Sequence, residues 1–121
     1  MIPPTGEMHW RVLREQALAD GILDCAILIF VELNRRPEPM RWEWWVELKR
    51  RAVERSLDSL EQEAEELSER VDLGVISVAV ALGYLDLRGA VGDWRQNRPG
   101  LAEWYADFRQ RPSMLATEPK C

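Results

Sequence analysis

The stretch from Leu73 to Leu85, thirteen residues without a charge, constrains this chain more than any other. Its only polar groups are Ser77 and the Tyr84 hydroxyl, so it lacks the wet face that an ordinary surface helix presents. It is too short for a bilayer, which needs about 20 residues. The pattern therefore predicts a core helix over about 73–85, buried on nearly all sides. The valines would also suit a central strand, but the length, Ala79, Ala81 and Leu82 favour a helix. Asp72 marks its start. The carboxylate can accept from the free amides of Gly74 or Val75 at the positive end of the helix dipole, and its loss is expected to cost about 1 kcal/mol. Counted from this cap, Val71 and Ile76 fall at the two positions of a hydrophobic staple.

Such a helix needs neighbours to bury it. At 121 residues, 46% hydrophobic and 31% charged, the chain has material for one soluble core and not two. Pro3 and Pro4 hold off helix until about Gly6. From Glu7 to Leu33, residues such as Trp10, Leu13, Ala17, Gly21 and Leu28 recur at helical spacing. Asn34 to Pro39, with two arginines and two prolines, ends that helix. A second long helix, antiparallel to the first, is expected from about Met40 to Ser68, with a narrow apolar seam at Val53, Leu57, Leu60, Ala64 and Leu67. Glu61, Glu63, Glu65, Glu66 and Glu69 crowd its C-terminal end, where the dipole disfavours acids, so a solvated and slightly frayed end is expected. Glu47 with Arg51 and Glu66 with Arg70 are spaced as weak i,i+4 pairs. Asp86 to Asn97 reads as a loop tied down by Trp94. Pro99 suits the first turn of a further helix carrying Leu101, Trp104, Tyr105 and Phe108 on one face. Arg111-Pro112-Ser113 stops it, leaving a last short turn through Leu115. The fold class is all-α, a bundle of four to five helices around the buried central one.

Little of this sequence points to chemistry of its own. A net charge of −5 argues against a nucleic-acid or anionic-membrane surface. No signal peptide or transmembrane run is visible, so the cytoplasm is the expected location. Cys25 and Cys121 do not make a disulfide framework, and reduced thiols are expected. Cys25, among apolar residues with no basic neighbour within a turn, reads as an inert core thiol. His9 is the sole histidine and has no partners at ligand spacing, so no metal site is expected. No phosphate-cradling glycine loop or nucleophile elbow is present. Six tryptophans serve as core filling, or in part as a face toward a partner or pocket. One constellation stands out, Asp20-Gly21-Ile22-Leu23-Asp24. Its two carboxylates lie one turn apart on the same helix face, with Gly21 between them leaving room for another backbone or a ligand. Two like charges there cost stability unless a cation answers them, and solvated acids are the plain alternative.

Four segments, in order, carry a family likeness: Ala19-Asp20-Gly21-Ile22-Leu23-Asp24, Arg55-Ser56-Leu57-Asp58-Ser59-Leu60-Glu61, Val80-Ala81-Leu82-Gly83-Tyr84-Leu85-Asp86, and Trp104-Tyr105-Ala106-Asp107-Phe108 leading into Arg111-Pro112-Ser113. Together they resemble the all-helical C-terminal domain of bacterial cytosolic glutathione S-transferases, over nearly the whole chain. The resemblance implies a single domain over residues 1–121. In that family the buried helix starts with a capping box. Here Asp72 holds the cap position and Val75 stands where the second acid belongs, so the reciprocal bond is missing.

The resemblance also bears on function. The family's catalytic Ser, Cys or Tyr, its cis-proline and most of its glutathione site lie in an N-terminal thioredoxin-like domain, and this chain begins where that domain would end. It implies no catalytic residue here, glutathione as co-substrate with no other cofactor, and thiolate attack on the electrophile only when a thioredoxin-like domain or subunit completes the site. What the helical half would supply is part of a homodimer interface and a pocket for hydrophobic small molecules. By the same likeness Asp24, with Asp20 the runner-up, reaches across the dimer to the glutathione γ-glutamyl ammonium, a sound partner for a carboxylate. Phe30, Val31 and Asn34 would lie toward the electrophile pocket. The alternative is a non-catalytic dimerisation or docking module, using the apolar surface that the thioredoxin-like half would otherwise cover.

Overall fold

The computed structural model describes residues 2–118, as six α-helices and one 3-10 turn with no strand among the described residues. The all-α expectation is met. Cys121, expected as a reduced thiol, lies outside the described residues.

Helix α1 spans Glu7–Asn34 and begins past the two prolines, directly after Gly6, whose φ of 88° is outside helical geometry. A 3-10 turn at Glu38–Met40 leads to α2, Glu43–Gln62. The second helix therefore does not run unbroken from about Met40 to Ser68. Arg41 and Trp42 are extended, and Trp42 donates its amide to the buried Glu32 of α1 at 3.0 Å, which sets the start of α2 at Glu43. At the far end Glu63 leaves helical geometry (φ −104°, ψ 9°) while its carboxylate pairs with Arg14 of α1, and α3, Ala64–Leu67, follows as a separate turn. The apolar seam survives the break: Val53, Leu57, Leu60, Ala64 and Leu67 are all buried.

The acidic end of α2 is not frayed. Glu63 and Glu66 reach Arg14 and Arg11 of α1, the latter pair at 2.8 Å. Glu61 accepts the Gly100 and Leu101 amides at 3.1 and 2.7 Å and so supplies the cap that α5, Pro99–Phe108, lacks locally. These acids cross-link helices because their partners come from elsewhere in the chain. Glu47–Arg51 forms, at 3.6 Å, but Arg70 turns away from Glu66.

Helix α4 spans Leu73–Arg88, three residues longer than expected, so Asp86, Leu87 and Arg88 are helical rather than loop. Gly89, left-handed at φ 62°, closes it by donating its amide to Leu85 at 2.8 Å. Trp94 anchors the following segment as expected: it is buried and donates from Nε1 to Asp86 at 2.8 Å. Leu101, Trp104, Tyr105 and Phe108 of α5 are all buried, and α6, Pro112–Ala116, is a short final turn.

One core joins these elements, with Ile22, Ala26 and Ile29 of α1, Leu57 and Leu60 of α2, Val78 and Leu82 of α4, and Leu101 of α5. Helices α1 and α2 run antiparallel, since Arg11 and Arg14 meet the end of α2 while Glu32 meets its start. Helices α1 and α4 run parallel: the start of α4 lies against Val12 and Glu15, and its end against Phe30. Burial of α4 is incomplete, however. Val80 is 49% exposed, and Ile76, Gly83, Tyr84 and Leu87 are half-buried beside it. Helices α1 and α5 pack on the other sides, and on this one the Tyr105 hydroxyl reaches Gly83 while Val80 stays open.

Candidate functional site

The start of α4 is held by a buried charge network. Asp72 accepts the Val75 amide at 3.0 Å, the cap read from the sequence. Arg70 then bridges Asp72 (2.8 Å) and Glu15 (2.5 Å), and Glu15 is fully buried. The reciprocal bond lost with the second acid of the capping box is thus replaced by a tertiary clamp. Burial pushes the Asp72 carboxyl upward, but the Arg70 guanidinium and the Val75 amide outweigh it and hold the group below its ordinary value. Burial likewise opposes the charge on Arg70, and the two carboxylates more than restore it. Gly74 makes the close approach possible: a Cβ there would stand 2.7 Å from Glu15 Oε1 and 3.0 Å from the Val12 carbonyl oxygen. Val71, expected in a staple, is half exposed, so this clamp rather than the staple governs how the chain enters α4.

Beyond the clamp one face of α4 borders an open cavity of about 440 Å³, lined by Val80, Tyr84 and Leu87 of α4, Leu23 of α1, Tyr105 of α5 and Met114 of α6. Gly83 leaves space for the Tyr105 hydroxyl, which lies 3.1 Å from where a Cβ would be. Burial and the Asp86 carboxylate raise the Tyr105 hydroxyl above its ordinary value, so it offers the cavity a neutral hydroxyl. Two ion pairs border the same space, Arg109 with Glu118 at 2.8 Å and Arg95 with Asp86 at 2.7 Å. Burial opposes the Asp86 charge, but Arg95 and the Trp94 indole together keep its carboxyl below the usual range.

Asp20 and Asp24 are both exposed on α1, without a hydrogen bond or ion pair among the described residues, and Gly21 between them has open space where a Cβ would go. Phe30 is half-buried under the Arg88 guanidinium, 4.3 Å from its ring centre. Val31 is 47% exposed, and Asn34, also exposed, donates from Nδ2 to the Phe30 carbonyl at 2.9 Å. None of these three lines the cavity itself; they continue along α1 past Leu23, with Phe30 seven residues on and so on nearly the same helix face. The cavity residues Leu23, Val80 and Tyr105 were missed by sequence reasoning. The only available signal was that a wholly apolar helix had more faces than this chain has helices to cover.

Chemical equipment is otherwise sparse. Among the described residues no three His, Cys, Asp or Glu side chains gather as a metal cluster. Cys25 is half-buried against the core, and His9 donates from Nδ1 to the Pro3 carbonyl at 2.7 Å. Among the described residues no helix is long and apolar enough to cross a membrane. Trp94 and Trp104 fill the core, whereas Trp10, Trp42 and Trp44 are 69%, 58% and 62% exposed, Trp42 and Trp44 with ring centres 5.2 Å apart.

The fold is thus an all-helical domain with an open, largely apolar cavity along one face of α4, bordered by ion pairs. Residues 44–107 match the family model for the glutathione S-transferase C-terminal domain. The chain is 34% identical to the GST-like protein YibF of Escherichia coli K12, over 98% of this chain and 60% of that protein. A glutathione transferase family member from Pseudomonas fluorescens Pf-5, solved with S-(propanoic acid)-glutathione bound, is 47% identical with a TM-score of 0.95, over 99% of this chain and 62% of that one. A glutathione S-transferase from Methylobacillus flagellatus KT, solved with glutathione bound, is 37% identical with a TM-score of 0.88, over 98% and 60%. The chain belongs to the glutathione S-transferase C-terminal domain family, and it spans about 60% of the length of these relatives.

Proposed function

We propose that residues 1–121 form the single helical domain of a glutathione S-transferase-like protein. In this reading the domain supplies one wall of an electrophile pocket and part of a homodimer interface, and glutathione is transferred to hydrophobic electrophiles when a thioredoxin-like domain completes the site. The observation that carries the reading is the open stripe along α4, with Val80, Tyr84 and Leu87 facing the cavity beside Leu23 of α1. Apolar surface of this kind is costly in water and fits a surface that another domain and a ligand cover. Relatives solved with glutathione or its conjugate support the same reading. The chemistry assigned to this chain is binding and orientation. Asp24, with Asp20 beside it, receives the γ-glutamyl ammonium from across the dimer, and Phe30, Val31 and Asn34 border the electrophile.

The test is glutathione binding by calorimetry, for the chain paired with a thioredoxin-like half of a relative and for its Asp24→Ala form. Loss of one charge-assisted hydrogen bond should weaken binding about tenfold or more. Equal affinity in both forms refutes the role of Asp24; no binding by either refutes the transferase reading. That second result would favour a non-catalytic docking module, a reading supported by exposed Trp10, Trp42 and Trp44.

A further inference from the structure

Arg88 closes α4 in a setting unlike that of its neighbours. Arg95, Arg98 and Arg109 each pair with a carboxylate, those of Asp86, Asp58 and Glu118. Arg88 makes no ion pair and no side-chain hydrogen bond among the described residues. Its guanidinium instead lies 4.3 Å from the ring centre of Phe30 and 5.8 Å from that of Tyr84. Aromatic rings hold a guanidinium by its flat face, which leaves the N–H groups in its plane free to donate. Tyr84 is common to this stack and to the cavity lining, and Leu87 is the last lining residue of α4, so the cation stands just past the lining, beside the C-terminal end of the α4 wall. Two acids, Asp86 and Glu118, line the cavity, and each is already paired, with Arg95 and Arg109. Asp24 is six residues back along α1 from Phe30, about 9 Å at 1.5 Å per residue. With the acids of the cavity paired, Arg88 is a cation beside it that has no carboxylate partner among the described residues.

We propose that Arg88 is a specificity-determining residue of this groove, and that the groove selects apolar ligands carrying a carboxylate, with the apolar body along Tyr84 and Leu87 and the carboxylate on the Arg88 fork. The inference rests on the reading of the groove as an electrophile pocket and adds the substrate class. A planar fork with free donors suits a carboxylate better than any neutral polar group of the same shape. Arg88 as a mere complement to the negative end of α4 would give no ligand preference at all.

The probes are trans-cinnamate and its neutral isostere trans-cinnamamide, titrated into the chain and followed by amide chemical shifts. The chain should take cinnamate about tenfold more tightly, with shifts centred on Phe30, Tyr84 and Leu87. Arg88→Gln should bring the two affinities together by weakening cinnamate alone, and Arg88→Lys should restore part of the difference. Equal affinities for the unaltered chain overturn the inference while leaving the pocket reading intact, and need no variant to fold. A preference that survives Arg88→Gln, or shifts centred away from these residues, also overturns it. Failure of both probes to bind removes the pocket reading and the inference with it.

Discussion

Gly74→Ala sets two effects of opposite sign against each other. In a helix, alanine is better than glycine by up to about 1 kcal/mol, and less near a helix start. Against this, the new Cβ would stand 2.7 Å from Glu15 Oε1 and 3.0 and 3.2 Å from the Val12 carbonyl oxygen and Cα. The Val12 atoms are backbone, and the Glu15 carboxylate is fully buried and tied to Arg70, so none of them can move aside freely. Overpacking of this sort costs about 1–3 kcal/mol, and displacing a buried carboxylate from its cation would add to it. The net expectation is a loss of roughly 2–3 kcal/mol. At about 2.1 cal/mol/K per residue, a chain of 121 residues would then melt about 8–12 °C lower. Gly21→Ala is the internal control, because that position has open space where the Cβ would go. It should raise stability by about 0.5–1 kcal/mol. Thermal and urea unfolding followed by circular dichroism measure both, and a Gly74→Ala protein as stable as the parent would refute the clamp.

Acid should act through Asp72 and Asp86, whose carboxyls both lie below their ordinary values in the fold. The unfolded chain then binds these protons more readily, so stability is full above the ordinary Asp value of about 4 and falls as pH drops through the lower folded values. Asp72→Asn keeps a cap acceptor without the charge, and urea midpoints should show a shallower loss between about pH 4 and pH 2; an unchanged slope would count against the pairing with Arg70. Glu61→Ala should cost about 1–2 kcal/mol and speed hydrogen exchange at Gly100 and Leu101, with Glu61→Gln recovering part of it. Unaltered exchange at those two amides would show that α5 does not depend on α2 for its cap.

Where partners are close in sequence, the residues announced the structure. Asp72 and Val75 are three apart, Trp94 and Asp86 eight, and the buried face of α5 is contained in one helix. Where partners are distant, the sequence was silent. Glu61 looks like a misplaced acid until Leu101, 40 residues on, is beside it, and Glu15 and Arg70 are separated by 55. The i,i+4 spacing of Glu66 and Arg70 was outweighed because a buried carboxylate at Glu15 holds a cation more strongly than an exposed one. The same limit applies to the candidate site. Resemblance singled out Asp20, Asp24 and Phe30, and the structure shows the two acids exposed and Phe30 half-buried under Arg88. The groove itself was not legible, because apolar residues at Leu23, Val80 and Tyr105 look alike whether a neighbour covers them or not.

The carboxylates that fix helix starts share a direction in time. Glu32 precedes the start of α2, Glu61 precedes α5, and Glu15 precedes the Arg70–Asp72 turn that opens α4. A chain made from its N-terminus therefore brings out each anchor before the segment that needs it, and every new helix meets a docking point already in place. A chain in which α5 and α6 were made first would have α5 wait for an anchor not yet synthesised, and so would differ from the parent in how it is born.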